Sequence, residues 1–155
     1  MKQLDQSPLN ITDSREQHLL CFSLPSERGT LRTGDYSVKG FEDRIDIERK
    51  EINDLVQCLK TGNSERLERE LTRGLGLEYF ALVIKCNLAH LAEHDYRSMM
   101  TPRSVIQSLL TFSVRYWMPV FFCGSRRYAA RIVESILQKY IREIEEKNKG
   151  TPVLI

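Results

Sequence analysis

Apolar and polar positions along the chain change period several times, and each change marks an element. From Arg44 to Lys50, Ile45 and Ile47 alternate with Asp46 and Glu48, the period of a half-buried strand. Ile52, Leu55, Val56 and Leu59 follow at i, i+3, i+4 and i+7, the spacing of an amphipathic helix that Gly62 ends. Ser64 is the expected N-cap of a second helix through Arg73, stopped by Gly74. Phe80–Cys86 is a near-continuous apolar run, as expected for a strand covered on both faces. Thr101-Pro102 starts a helix whose face is Val105, Leu109, Phe112 and Tyr116. Pro119–Cys123 predicts another buried strand. Ser125 then caps a long last helix with Ala129, Ile132, Val133, Ile136, Leu137, Tyr140 and Ile144 on its apolar face.

The N-terminal part is less regular. Asn10–Glu16 predicts a short first strand. His18–Arg32, with Pro25 and Gly29, predicts a hairpin or loop. Thr30–Val38 reads as an extended segment, joined to the Arg44–Lys50 strand by a turn over Lys39–Asp43. Strands in a meander followed by strand–helix–strand–helix predict an α/β fold with a mixed central sheet flanked by helices. No repeat or low-complexity segment interrupts it, so residues 9–148 are expected to form one domain, with tails at 1–8 and 149–155.

Composition narrows the class. The chain has 155 residues, enough for one ordinary domain. No apolar run approaches the ~20 residues of a membrane span. MKQLDQSPLN has no apolar core of a secretory signal, so the expected compartment is the cytoplasm. Cys21, Cys58, Cys86 and Cys123 are widely spaced and form no C-x-x-C pair. This excludes zinc-ribbon and thioredoxin-type motifs and predicts reduced, mostly buried thiols. Lys and Arg are in excess after residue 101, whereas Asp and Glu are in excess before it. The first part suits a cation and the second a polyanion.

The chemistry concentrates in Gly34-Asp35-Tyr36 and Glu48-Arg49-Lys50. Residues two apart on a strand share a face, roughly 6.5–7 Å apart. Glu48 and Lys50 therefore point the same way, with Asp46 before them and Ile47 and Arg49 opposite. A neighbouring strand can bring Asp35 beside Glu48. Two carboxylates make a hard oxygen site suited to Mg2+ or Mn2+. Such an ion activates water and neutralises charge on a scissile phosphate. A lysine beside it orients the water and stabilises developing negative charge. An acidic residue followed by E-x-K at the end of the next strand is the pattern of a restriction-endonuclease-like core.

A longer series of motifs makes the pattern specific. Asp13-Ser14-Arg15-Glu16, Gly34-Asp35-Tyr36, Ile47-Glu48-Arg49-Lys50 and Asp54-Leu55 occur in order. Together they resemble the XPF/ERCC4-type nuclease domain. Leu24-Pro25-Ser26-Glu27-Arg28-Gly29-Thr30-Leu31 is similar to a stretch of the short, stand-alone bacterial and phage versions. The resemblance implies a divalent-metal-dependent endonuclease acting on DNA, branched or flap-type in particular. It implies Asp35, Glu48 and the main-chain carbonyl of Arg49 as metal ligands, and Lys50 as the residue that positions the attacking water. Asp13 would lie at the edge of the metal site. Arg15 would grip a phosphate or brace an acid, Glu16 and Arg49 would support the site, and Asp54 would act toward Lys50 or Arg15. Lys85 stands where the family often has an acid, and residues 149–155 are expected to hold no helix-hairpin-helix pair. The family's habit of dimerising, with Tyr116, Trp117 and Tyr140 in amphipathic segments, implies a homodimer through the helices after residue 101.

Three other readings compete. His90-Leu91-Ala92-Glu93-His94 matches the H-x-x-E-H zinc-peptidase spacing, but it follows a strand and lacks a third ligand. Arg126, Arg127 and Arg131 open the last helix and are candidates for DNA phosphate contacts, against the plainer reading of a solvated helix start. A non-catalytic DNA-binding scaffold of the same fold is the alternative function. The presence of Asp35, Glu48 and Lys50 together favours catalysis.

Overall fold

The computed structural model of the protein describes residues 9–16, 20–60 and 62–150. The expected tail at 1–8, and all but Lys149 and Gly150 of the tail at 149–155, lie outside these residues. The chain order is β1 (Asn10–Asp13), β2 (Ser26–Gly29), β3 (Tyr36–Val38), β4 (Ile45–Glu51), α1 (Ile52–Leu59), α2 (Ser64–Gly74), β5 (Tyr79–Lys85), α3 (Leu88–Ala92), α4 (Pro102–Arg115), β6 (Val120–Phe122) and α5 (Arg126–Asn148). One mixed sheet has the strand order β2-β1-β3-β4-β5-β6. The β1–β3 and β3–β4 pairs are antiparallel, and β4–β5 and β5–β6 are parallel.

Strand alternation sorts the core into two layers. On one face, Leu82 and Ile84 of β5 pack with Leu55 and Val56 of α1, Leu67 and Leu71 of α2, and Val105, Leu109 and Phe112 of α4. On the other, Ile45 and Ile47 of β4, Tyr36 of β3 and Val83 of β5 pack against Ala129, Val133, Leu137 and Ile141 of α5. β5 is central and flanked on both faces, which is why its sequence shows no alternation. Thr101 and Ser125 cap α4 and α5 as expected, their side chains accepting the N–H groups of Ser104 and Tyr128. Among the described residues no helix is long and apolar enough to cross a membrane.

Several expectations need correction. The segment expected as a hairpin or loop contains the edge strand β2, parallel to β1. Its Ser-Glu-Arg-Gly sequence carries no apolar alternation because it is an exposed edge. Of the extended segment expected at 30–38, only Tyr36–Val38 is strand. β6 is half-buried rather than buried, because it forms the opposite edge. Ser64 is the first residue of α2 rather than its cap. Asn63 occupies the cap position, without a side-chain hydrogen bond. All four thiols are free, yet Cys21 is exposed and Cys58 half-buried.

One buried charge ties the N-terminal loop to α5. Glu134 accepts hydrogen bonds from Leu24 N (2.7 Å), Ser23 Oγ (2.7 Å) and Ser23 N (3.2 Å), and from Asn10 Nδ2 at 3.5 Å. Burial pushes its carboxyl upward, but these donors outweigh burial and hold it below the ordinary glutamate value of 4.5. The stabilisation is therefore fully present above that value and is lost as pH falls through the lower, folded-state value. Glu134→Ala is expected to cost roughly 2 kcal/mol or more at neutral pH. It should also flatten the acid limb of the stability curve in urea unfolding between pH 3 and 7. An unchanged acid limb would show that Glu134 does not anchor the loop.

Candidate active site

Asp35 is fixed from three sides. Its N–H donates to Ile47 O of β4 at 2.9 Å, and its carbonyl accepts Asp13 N of β1 at 2.7 Å. Its carboxylate accepts the N–H of Arg49 at 2.8 Å. The turn that delivers it needs Gly34, whose φ is +74° and whose missing Cβ leaves room for the Asp46 carboxylate. Asp35 is thereby held beside the end of β4, where Glu48 and Lys50 share a face. Lys50 Nζ lies 3.0 Å from Glu48 Oε1 and 3.7 Å from Glu70 Oε2 of α2. These residues line one open cavity of about 410 Å3.

The electrostatics reflect crowded acids. Burial raises the Glu48 carboxyl above its ordinary range, and the Asp35 charge pushes the same way against the pull of Lys50. Burial likewise raises Asp35, opposed by the Arg49 N–H. Asp46, under Gly34, is driven up by burial and by Glu48 and Asp35, and its Oδ1 is buried with no hydrogen-bond partner. Lys50 has the reverse balance: burial would discharge it, but Glu48 and Glu70 keep it cationic. Among the described residues no group of three or more His, Cys, Asp or Glu is arranged to hold a metal ion.

The flanking residues divide between bracing and open ones. Asp13 is buried, and both of its oxygens are engaged. Arg15 donates Nε to one at 2.8 Å and Nη2 to the other at 3.1 Å, while Leu31 N donates at 2.8 Å. Arg15 Nη2 also reaches Leu31 O at 2.8 Å, so this pair fixes the 31–35 loop. Glu16 accepts Tyr36 Oη at 3.2 Å and Arg49 Nε at 3.5 Å, and Arg49 Nη1 reaches Glu51 at 2.8 Å. That network braces the other side of β4. Lys85 extends it, with Nζ 3.8 Å from Glu51. Asp54 is exposed on the cavity wall, where no hydrogen bond or ion pair joins it to Lys50 or Arg15.

Residues not singled out from the sequence complete the rim. Arg32, Arg66 and Arg73 line the cavity and are exposed, and Glu70 lies between the last two on α2. Arg66, Glu70 and Arg73 recur at i, i+4 and i+7, one stripe of the helix. That spacing is the signal in the sequence that would have found them. Arg126, Arg127 and Arg131 are elsewhere, around a separate depression with Cys21, Ser23 and Glu134. His90 is on α3, which ends at Ala92, whereas His94 lies beyond it at φ 62°, so the two histidines share no helix face.

A family profile described as the ERCC4 domain matches residues 6–136. The chain belongs to the ERCC4 domain family. The fold is similar to that of XPF from Aeropyrum pernix, with a TM-score of 0.71 at 21% identity over 96% of this chain. The structure of XPF from Aeropyrum pernix in complex with DNA gives a TM-score of 0.67 at 19% identity over 88% of this chain. The match covers 66% of the XPF chain in each case. No curated protein matches the sequence. The expected restriction-endonuclease-like architecture, a mixed sheet flanked by helices, is thus observed.

In this ERCC4 domain the glycine before Asp35 is constrained twice. Its φ is left-handed, and an added Cβ would fall 1.8 Å from Asp46 Oδ1. Gly34→Ala is expected to destabilise the domain by about 2–3 kcal/mol in urea unfolding. Adding Asp46→Ala should recover part of that loss, leaving the backbone strain. Full stability in the single variant would refute this packing.

Proposed function

We propose that the chain is a divalent-metal-dependent DNA endonuclease that hydrolyses phosphodiester bonds, with branched or flap-type DNA as its substrate. The observation that carries this reading is one cavity holding Asp35, Glu48 and Lys50, rimmed by Arg32, Arg66 and Arg73. Membership of the ERCC4 family, whose members are generally nucleases, supports it, as does the DNA complex of the structurally similar XPF.

The donor set suits a hard divalent cation. Asp35 is half-buried and Glu48 buried, and the Asp35 charge raises the Glu48 carboxyl, a repulsion that a cation would relieve. With two carboxylates and the main-chain carbonyl of Arg49 as ligands, the remaining positions would fall to water and phosphate oxygens, as Mg2+ or Mn2+ prefers. When bound, the ion supplies Lewis acidity and charge neutralisation at the scissile phosphate. Lys50, kept cationic by two carboxylates, orients the attacking water and stabilises charge developing on the phosphate. Asp13 and Arg15 hold the loop that carries Asp35, and Glu16 and Arg49 hold β4. Arg32, Arg66 and Arg73 draw the backbone phosphates to the cavity, with Arg126, Arg127 and Arg131 as a more distant contact on a longer DNA. Asp54 adds negative charge at the cavity wall.

The test is single-turnover cleavage of single-stranded, duplex, flap, fork and four-way-junction DNA with Mg2+ or Mn2+, with binding measured in parallel. Wild type should cut at least one branched form. Asp35→Asn should keep the fold and lose cleavage together with metal binding. Lys50→Ala should bind metal yet cut about a hundredfold more slowly or worse. Wild type that binds branched DNA and never cuts it would support the scaffold reading instead.

The same proposal includes a homodimer through α4 and α5. Leu110 and Val114 on α4 and Trp117 just beyond it are exposed, Trp117 by 87%. Phe121, Ile132, Ile136 and Tyr140 form an apolar depression on α5 and the adjacent sheet edge. Exposed apolar surface of this kind favours association. Sedimentation equilibrium should give a dimer for wild type and a monomer for Val114→Glu. A wild type that stays monomeric at high concentration would exclude this assembly.

A further inference from the structure

The pair that would do the chemistry is locked against itself. Lys50 Nζ is 3.0 Å from Glu48 Oε1, one of the oxygens that the proposed function gives to a metal ion. An ammonium and a divalent cation repel, so neither can be held well while both occupy the same carboxylate. Metal entry therefore favours movement of Lys50 off Glu48. The side chain sits largely inside the cavity wall, 17% exposed, and leaving it there without an anionic partner would be costly.

The structure holds one acceptor ready for it. Glu70 Oε2 is buried, has no hydrogen-bond partner, and lies 3.7 Å from Lys50 Nζ. A shift of about an ångström would bring that distance to the length of a charge-assisted hydrogen bond, about 2.7–2.9 Å. Glu70 stands on α2, which is anchored on both sides of it by buried Leu67 and Leu71. Arg66 and Arg73 flank Glu70 on the helix, but among the described residues neither forms an ion pair with it, so its carboxylate stays available. Cys58 faces the same group, but a thiol is only a weak acceptor.

We propose that Glu70 is a positioning residue that takes Lys50 over from Glu48, freeing Glu48 for the metal ion while holding Lys50 beside the attacking water. This rests on the metal-dependent reading above. It makes the effect of Glu70 on metal binding conditional on Lys50. With Glu70 present, the lysine has a second place to go. Without it, metal and lysine compete for Glu48.

Calorimetric titration with Mn2+, in the absence of DNA, tests this directly. The proteins are wild type, Glu70→Ala, Glu70→Gln, Lys50→Ala and the double variants, each checked for a cooperative thermal transition. Glu70→Ala should weaken Mn2+ binding by about tenfold, a coupling of ordinary size for neighbouring charges. Glu70→Gln keeps an acceptor oxygen without the charge and should fall between wild type and Glu70→Ala. In the Lys50→Ala background the same substitutions should change affinity by less than about twofold. Equal losses in both backgrounds would reduce Glu70 to one more negative charge near the ion, and no loss in the wild-type background would remove it from the site. Either result overturns the role of Glu70 while the metal site stands. A wild type that binds no Mn2+ would overturn the metal-dependent reading and this proposal with it.

Discussion

The position of Asp35 is the constraint on which the site depends. Its backbone, just before β3, bridges β4 and β1, donating to Ile47 O and accepting from Asp13 N, and its carboxylate is aimed by the Arg49 N–H. The Arg49 N–H holds this half-buried carboxylate toward the end of β4. The fold therefore imposes the repulsion between the two acids, and helix packing maintains it. α1 and α2 cover the sheet face from which Glu48 and Lys50 project, burying Leu55, Val56, Leu67 and Leu71. The covering lowers the local dielectric and magnifies each charge–charge term.

Placement on rigid elements explains how so acidic a site survives in a small domain. Asp13 and Glu16 are neutralised by arginines on the site's margins, where the contacts are structural. Asp35 and Glu48 are not fully neutralised, and Lys50 serves Glu48 alone at close range. The unbalanced charge is thus confined to the cavity, where a cation or the phosphate-bound ion of a nucleic acid would complete it. Arg32, Arg66 and Arg73 stand at the mouth rather than inside. They can hold a polyanion without displacing a cation from the acids.

The sequence exposed some of this and hid the rest for physical reasons. β4 is readable because one face is apolar and the other carries Asp46, Glu48 and Lys50, so alternation is sharp; the expected half-buried strand is in fact buried on both faces from Ile45 to Arg49, because helices cover both. α4 and α5 were readable from Thr101-Pro102 and Ser125, whose caps depend only on local geometry. β2 was hidden because an exposed edge strand needs no apolar period. α3 is five residues long and leaves no helical period to detect. Asp35, Glu48 and Lys50 stood out by their spacing on strands, where every second residue shares a face. Glu70, Arg66 and Arg73 did not, because polar residues at helical spacing ordinarily mean a solvated face. Only the packing of α2 beside α1 on that face of the sheet brings Glu70 of the stripe to Lys50. The role of Asp46 is hidden for a related reason: its burial beneath Gly34 is set by the approach of the 31–35 loop, which no local pattern encodes.

The proposed activity requires a single cation site between Asp35 and Glu48, at the end of β4. Anomalous diffraction from crystals soaked in Mn2+ addresses it most directly, since it locates the ion without reference to activity. One strong peak is expected between the two carboxylates, within ligand distance of both and of the main chain at Arg49. A peak at another position, or none between Asp35 and Glu48 at saturating Mn2+, would contradict it.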